Sequence, residues 1–308
     1  YPAWLGRWPA VVGIFGFAWL ELVYENKDVP ETLAILAVGY AVVQLVGMSL
    51  YGIEVWESRG DAFSVYFGLL ARLAPLRWAD GRIHLRAPFV GVAGLEVVPG
   101  TAALLAAMIG STSFDGFSNG AVWVGTNGLF SKLQTLFSDV GTSITTASEL
   151  ASTVGLLGMI GIIAGLYRLG ILGMKSIGGR KSARELSDLF VHSLVPISAA
   201  YVVAHYFSFL AYQGQALGYL ASDPLGTGAN LFGTANTTID YGIVASNTIW
   251  YVQVAALVIG HVAGLMLAHE RALVVYRRPN NATRSQYWML AVMVGFTSLG
   301  LWILSSTM

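Results

Sequence analysis

Cysteine is missing from all 308 residues. Its absence removes disulfides, thiolate-bound haem, Cys-ligated iron–sulfur clusters and zinc-finger patterns. Charge is scarce too. Asp, Glu, Lys and Arg make up 11% of the chain, the signs balance to a net of zero, and no basic block is present to hold nucleic acid. There is no nucleophile elbow, P-loop or dinucleotide fingerprint, and no internal repeat or second soluble domain can be drawn. What the chain does have is apolar length. Hydrophobic residues make up 55% of it, the mean hydropathy is +0.64, and several runs reach the ~20 apolar residues that cross a bilayer. These features describe a polytopic membrane protein. The sequence opens at Tyr1 without a Met or a signal-peptide pattern, as a trimmed or partial product does.

Hydrophobic length predicts one all-α bundle of about seven transmembrane helices, at about residues 8–24, 31–51, 94–109, 143–174, 189–220, 247–275 and 286–305. With Arg7 placed in the cytoplasm, every Lys and Arg except Lys27 and Lys132 falls inside. Positive charge thus orients the chain N-in and C-out in a cytoplasmic (inner) membrane. Between the second and third spans, VWESRGDAFSVYFGLLARLAPL carries Phe63, Tyr66, Phe67, Leu70 and Leu73 on one side, the pattern of a helix lying in or entering the interface. WADGRIHLR follows, with Asp80-Gly81 between short alternating flanks, a cytoplasmic β-hairpin. His84 belongs to that hairpin surface. On the outer side, Asp115-Gly116 and Asn119-Gly120 signal turns, and LFSKLQTLFSDV reads as an amphipathic helix on the outer surface. A long Gly-, Asn- and Thr-rich loop follows residue 222, ordered over the bundle mouth or contacting a partner. Gly158, Gly161 and Gly165 are expected to let a neighbouring helix approach closely.

The fifth span carries a polar stripe. Ser198, Tyr201, His205, Ser208, Tyr212 and Gln215 recur at steps of three and four, which puts them on one helical face. A polar face in hydrocarbon must find partners in the protein or line a wet cavity. At ~1.5 Å per residue, His205 lies ~24 Å from the inner end of its helix and His261 ~21 Å from either end of the next one, so both fall near mid-membrane. Imidazole ligates copper, iron and b-type haem. The pair therefore suits a shared metal or haem site, with Tyr201, Tyr212 and Gln215 around it, as well as two interhelical hydrogen bonds or a proton path. Glu21 and Glu149 are the other intramembrane carboxylates, each near an interface.

A second set, Asp188, His192 and His205, has the spacing Asp-x3-His-x12-His. It resembles a copper site in the C subunit of copper membrane monooxygenases. The companion Asn-x3-His motif has no counterpart here, since Leu257 precedes His261. His192 and His205 differ by ~220° on an ideal helix, so they share a metal only if the chain unwinds before Pro196. More of the chain resembles an actinobacterial family of polytopic membrane proteins often labelled fenitrothion hydrolase-like. The resemblance is carried by YPAWLGRWPA, TSFDGFSNG, AHYFSFLAYQGQ, SDPLGTGANLFGTA, IWYVQVAALVIGHVAGLMLAHERAL and RSQYWMLAVMVGFTSLGLWILS. It implies organophosphate ester hydrolysis, with a metal-activated hydroxide on a sparse set drawn from Asp188, His192, His205 and His261, and members that begin upstream of Tyr1.

Three readings follow. The first is a subunit or enzyme of a membrane redox or oxygenase complex, holding copper, iron or haem b between the fifth and sixth spans. The second is a membrane-bound, metal-dependent organophosphate hydrolase. The third is a cofactor-free assembly subunit that docks other membrane proteins through its outer loops. In all three the bilayer is a partner and nucleic acid is not.

Overall fold

A computed structural model describes residues 1–178, 181–276 and 279–306. The chain is a helical bundle with one two-stranded hairpin. In order, the elements are α1 (Trp8–Leu22), α2 (Pro30–Tyr51), α3 (Ile53–Arg59), α4 (Ala62–Ala71), β1 (Leu76–Ala79), β2 (Arg82–Leu85), α5 (Val90–Ala93), α6 (Thr101–Ser118), α7 (Ala121–Val124) and α8 (Leu129–Asp139). There follow α9 (Ile144–Ser176), α10 (Ala183–Phe190), a 3-10 turn (Val191–Ser193), α11 (Leu194–Gln213), α12 (Ala216–Ser222), α13 (Ser246–Val275) and α14 (Pro279–Ser306). Five segments are long and apolar enough to cross a membrane: Pro30–Tyr51, Ile144–Ser176, Ala183–Gln213, Ser246–Val275 and Asn280–Ser305. The protein is an all-α, multi-pass membrane protein. α1, at 15 residues, and α6, at 18, fall outside that set.

α6 is nonetheless the axis of the bundle. Its residues from Leu104 to Gly110 are all buried, and it packs against α1, α9, α11 and α14. The expected third span, 94–109, was therefore set too early. Pro99 cannot continue a helix from before, and Gly100 takes a left-handed φ of 86° that starts the helix at Thr101. The helix then runs through Asp115-Gly116, where the dipeptide read as a turn. The contact between α11 and α13 is the most extensive in the bundle. Gly260 lies against Ala200 and the Pro196 carbonyl, and Gly264 against Ser193 and Ile197. On α9 the close approaches are Gly155 on Trp123 and Phe114, and Gly173 on Trp288. Gly158, Gly161 and Gly165 have no neighbour there; the expectation for those three is corrected, because they face outward.

The periphery is built locally. VWESRGDAFSVYFGLLARLAPL is two helices, broken at Gly60 and restarted by Asp61, whose carboxylate accepts the Phe63 and Ser64 amides and the Tyr40 hydroxyl. α4 enters the bundle and packs on α1 and α11. α2 touches the bundle mainly through α3, where Trp56 fills the notch at Gly47 and donates to Gln44. Asp80 (φ 51°) and Gly81 (φ 71°) form the turn of the expected hairpin. Arg7 is buried at the start of α1 and donates to the Glu96 carbonyl and the Thr101 hydroxyl. Burial, with Arg72 nearby, pulls its pKa down to about 10, which leaves it charged at neutral pH.

Candidate functional site

The polar stripe of α11 meets α6 at one point. His205 Nε2 lies 2.8 Å from Asp115 Oδ2, with both side chains about three-quarters buried. Asp115 is in helix here, two turns past the buried Met108, which is why it faces α11 at all. Among the described residues the only other ion pair is Arg59–Glu96.

Two cavities share this pair as a wall. The first, of about 370 Å³, is apolar, lined by Ile14, Phe17, Ala18, Phe63, Phe67 and Phe209 among others. Its polar groups are Glu21, Tyr66, Ser111, Thr112, Tyr206, Asp115 and His205. Phe17, Phe67, Phe209 and Leu210 on its rim are exposed, so it opens through an apolar mouth. The second cavity, also about 370 Å³, has mixed walls, with Ala204, Leu257 and Ile303 on the apolar side. Ser113, Asn119, Tyr201, Ser208 and Gln253 line it together with Asp115 and His205. Gln253 is held there by donation to the Ala204 carbonyl, and Tyr206 stands edge-on against the His205 ring at 4.6 Å between centroids.

The other expected site residues are placed differently. His261 is buried, its Nδ1 2.6 Å from the Leu257 carbonyl one turn earlier on its own helix. Its ring lies between Tyr201 and Phe296, and among the described residues its Nε2, like Ser198 Oγ, has no hydrogen-bond partner. His261 lines neither cavity. His205 Nε2 is turned to Asp115 on α6, and the His261 ring reaches the second cavity only through Tyr201 and Leu257, which line it. Asp188, His192 and His205 are not brought together. The chain does unwind before Pro196, as sharing requires, but His192 is buried in the 3-10 turn against the backbone of Leu189 and Leu267, and Asp188 is exposed. Among the described residues no group of three or more His, Asp or Glu side chains is placed to hold a metal ion.

Tyr212 and Gln215 clasp the outer loop instead of a cofactor. The Tyr212 hydroxyl donates to the Val244 carbonyl, and the Gln215 amide exchanges hydrogen bonds with the backbone of Asp240 in both directions. α11 ends at Gly214, so the stripe leaves the helix before Gln215. Asp115 and Gln253 are the site residues that sequence reading missed. Asp115 could have been found from its helical step with Thr112, and Gln253 as a polar residue inside an apolar span. Comparison with protein-family models, curated proteins and solved structures returned no match, so the chemistry is read from these residues alone.

Proposed function

We propose that this chain crosses the cytoplasmic membrane seven times, N-in and C-out, admits a lipophilic molecule sideways from the bilayer, and exchanges a proton with it through His205 and Asp115. One observation carries the reading: the His205–Asp115 pair stands between an apolar chamber that opens through exposed aromatics and a mixed chamber whose Ser, Asn, Tyr and Gln side chains can hold water. Imidazole can take a proton at one nitrogen and release it at the other, and the carboxylate of Asp115 orients it. Tyr66 lies in the same apolar chamber and can donate a hydrogen bond to a ligand oxygen, while Glu21 can accept one from a ligand hydroxyl. Such a chamber suits a flat, largely apolar molecule with one or two acceptor oxygens, the chemistry that a component of a membrane redox complex would use. The test uses menadione as probe and the protein in nanodiscs. Binding is expected in the wild type and to fall about tenfold in His205→Gln and in Asp115→Asn, the loss of one charge-assisted hydrogen bond. Unchanged affinity in both variants overturns the reading.

A second reading draws on the same pair. A histidine held by an aspartate beside an apolar chamber is a general base for attack of water on a lipophilic ester, in keeping with the resemblance to the fenitrothion hydrolase-like family. Turnover of a phosphotriester by purified protein, lost in His205→Ala, supports it; no turnover in wild type with any divalent metal supplied sinks it.

A further inference from the structure

The hairpin β1–β2 is split by charge. Its register pairs Leu76 with Leu85 and Trp78 with Ile83, so these four side chains share one face, while Arg77 and His84, opposite each other, share the reverse face. All four apolar residues are exposed, Trp78 at 70% and Leu85 at 81%. Among the described residues no other element packs closely on either strand, and a lone two-stranded hairpin is marginal in water. The basic face closes over a cavity of about 730 Å³ lined by Arg72, Arg77, His84 and Arg86, with Asp80 as its only acidic residue.

Two of these arginines are fixed in place. Arg86 donates to the carbonyls of Ala74 and Ala71, both at 2.6 Å, and Arg72 to those of Gly91 and Gly94. The backbone bonds leave donors on each guanidinium fork. Gly91 sits against the Arg86 guanidinium and the Arg72 carbonyl, where a side chain would have no room. Burial lowers the Arg72 pKa, with the Arg86 charge adding to it and Glu96 opposing it. The cavity thus holds positive charge close together, and the apolar face on the other side of the hairpin is exposed.

We infer that this hairpin lies in the bilayer interface and that its basic cavity binds the phosphodiester headgroup of an anionic phospholipid. Charge complementarity selects the headgroup. The Leu76–Trp78–Ile83–Leu85 face, on the reverse side, selects a membrane over the aqueous phase: buried in the interface it holds the basic cavity at headgroup depth, where Trp is at home. Binding itself rests on the protein being in a membrane; only the choice of inner leaflet rests on the proposed orientation. The site is separate from the His205–Asp115 pair, so failure of either proposal leaves the other standing.

The test uses full-length protein in nanodiscs of phosphatidylcholine, with or without phosphatidylglycerol. Native mass spectrometry is expected to retain phosphatidylglycerol in preference to phosphatidylcholine, and amide exchange over 76–85 to slow when it is present. Arg77→Gln is expected to weaken retention about fivefold, with thermal unfolding of the bundle unchanged. Trp78→Ser is expected to speed hairpin exchange whatever the lipid charge. Equal retention of both lipids, or unaltered retention in Arg77→Gln, overturns the inference. Inorganic phosphate that protects the hairpin equally well in phosphatidylcholine makes this a soluble-anion site, and protection seen only in a dimer makes it a self-interface; either result also overturns it.

Discussion

The contact at 2.8 Å between His205 and Asp115, both about three-quarters buried, is the one on which most of the site turns. If the two side chains act as a unit, His205→Gln and Asp115→Asn are each damaging and the double variant is little worse than either. A double-mutant cycle read by denaturant unfolding should show coupling of about 1 kcal/mol. His205 was legible from the sequence, because its helical steps with Tyr201 and Tyr212 put it on an inward face. Asp115 was not. Asp-Gly is a local turn signal, and the reason it stays helical is a partner 90 residues further along the chain, which no local pattern encodes. Gly260 offers a second residue-scale test, since it lies against Ala200 and the Pro196 carbonyl. Gly260→Val is expected to destabilise by about 1–3 kcal/mol through overpacking, measured by denaturant titration in detergent.

At the scale of elements, apolar length located the long helices well, because hydrocarbon thickness is a strict ruler. It located α6 poorly. That helix is buried on every side by protein, so it carries Ser111, Thr112, Ser113 and Asp115 without losing its place. Its start is set by Pro99 and Gly100 and not by hydropathy. The break between α3 and α4 was likewise hidden inside a continuous amphipathic pattern, with Gly60-Asp61 as the only sign. α2 is anchored chiefly through Trp56, so Trp56→Ala is expected to cost about 3 kcal/mol locally and to speed amide exchange along α2 more than along α11. The outer loop has its own clasp, in which the Asp223 carboxylate accepts the Thr227 and Gly228 amides. Desolvation opposes ionisation of this carboxyl, but the amides of Gly228, Thr227, Ala229 and Gly226 outweigh it and hold the pKa below the ordinary aspartate range. The folded value lies below the unfolded one, so the clasp is fully present above the ordinary aspartate range and is lost as pH falls through the folded value. Protection of the amides over 223–230, relative to the intrinsic exchange rate at each pH, is therefore expected to fall on acidification in wild type, and Asp223→Asn to remove that pH response.

For the whole molecule, the proposed orientation rests on the distribution of Lys and Arg, and the absence of cysteine makes it easy to test. Thr227→Cys is expected to react with a membrane-impermeant maleimide in intact cells, and Ser182→Cys only after lysis. The reverse pattern would turn the protein over and move the basic hairpin to the opposite leaflet.

The shared wall has one more consequence. Two compartments separated by a single hydrogen-bonded pair are thermodynamically linked, even when no molecule passes between them. Whatever alters the hydrogen bonding of Asp115 from the mixed side changes affinity on the apolar side by some factor, and an occupant of the apolar side changes binding on the mixed side by that same factor. An affinity measured for the apolar chamber is then a property of both chambers. It should vary with what fills the second chamber, at a site that this filling never touches.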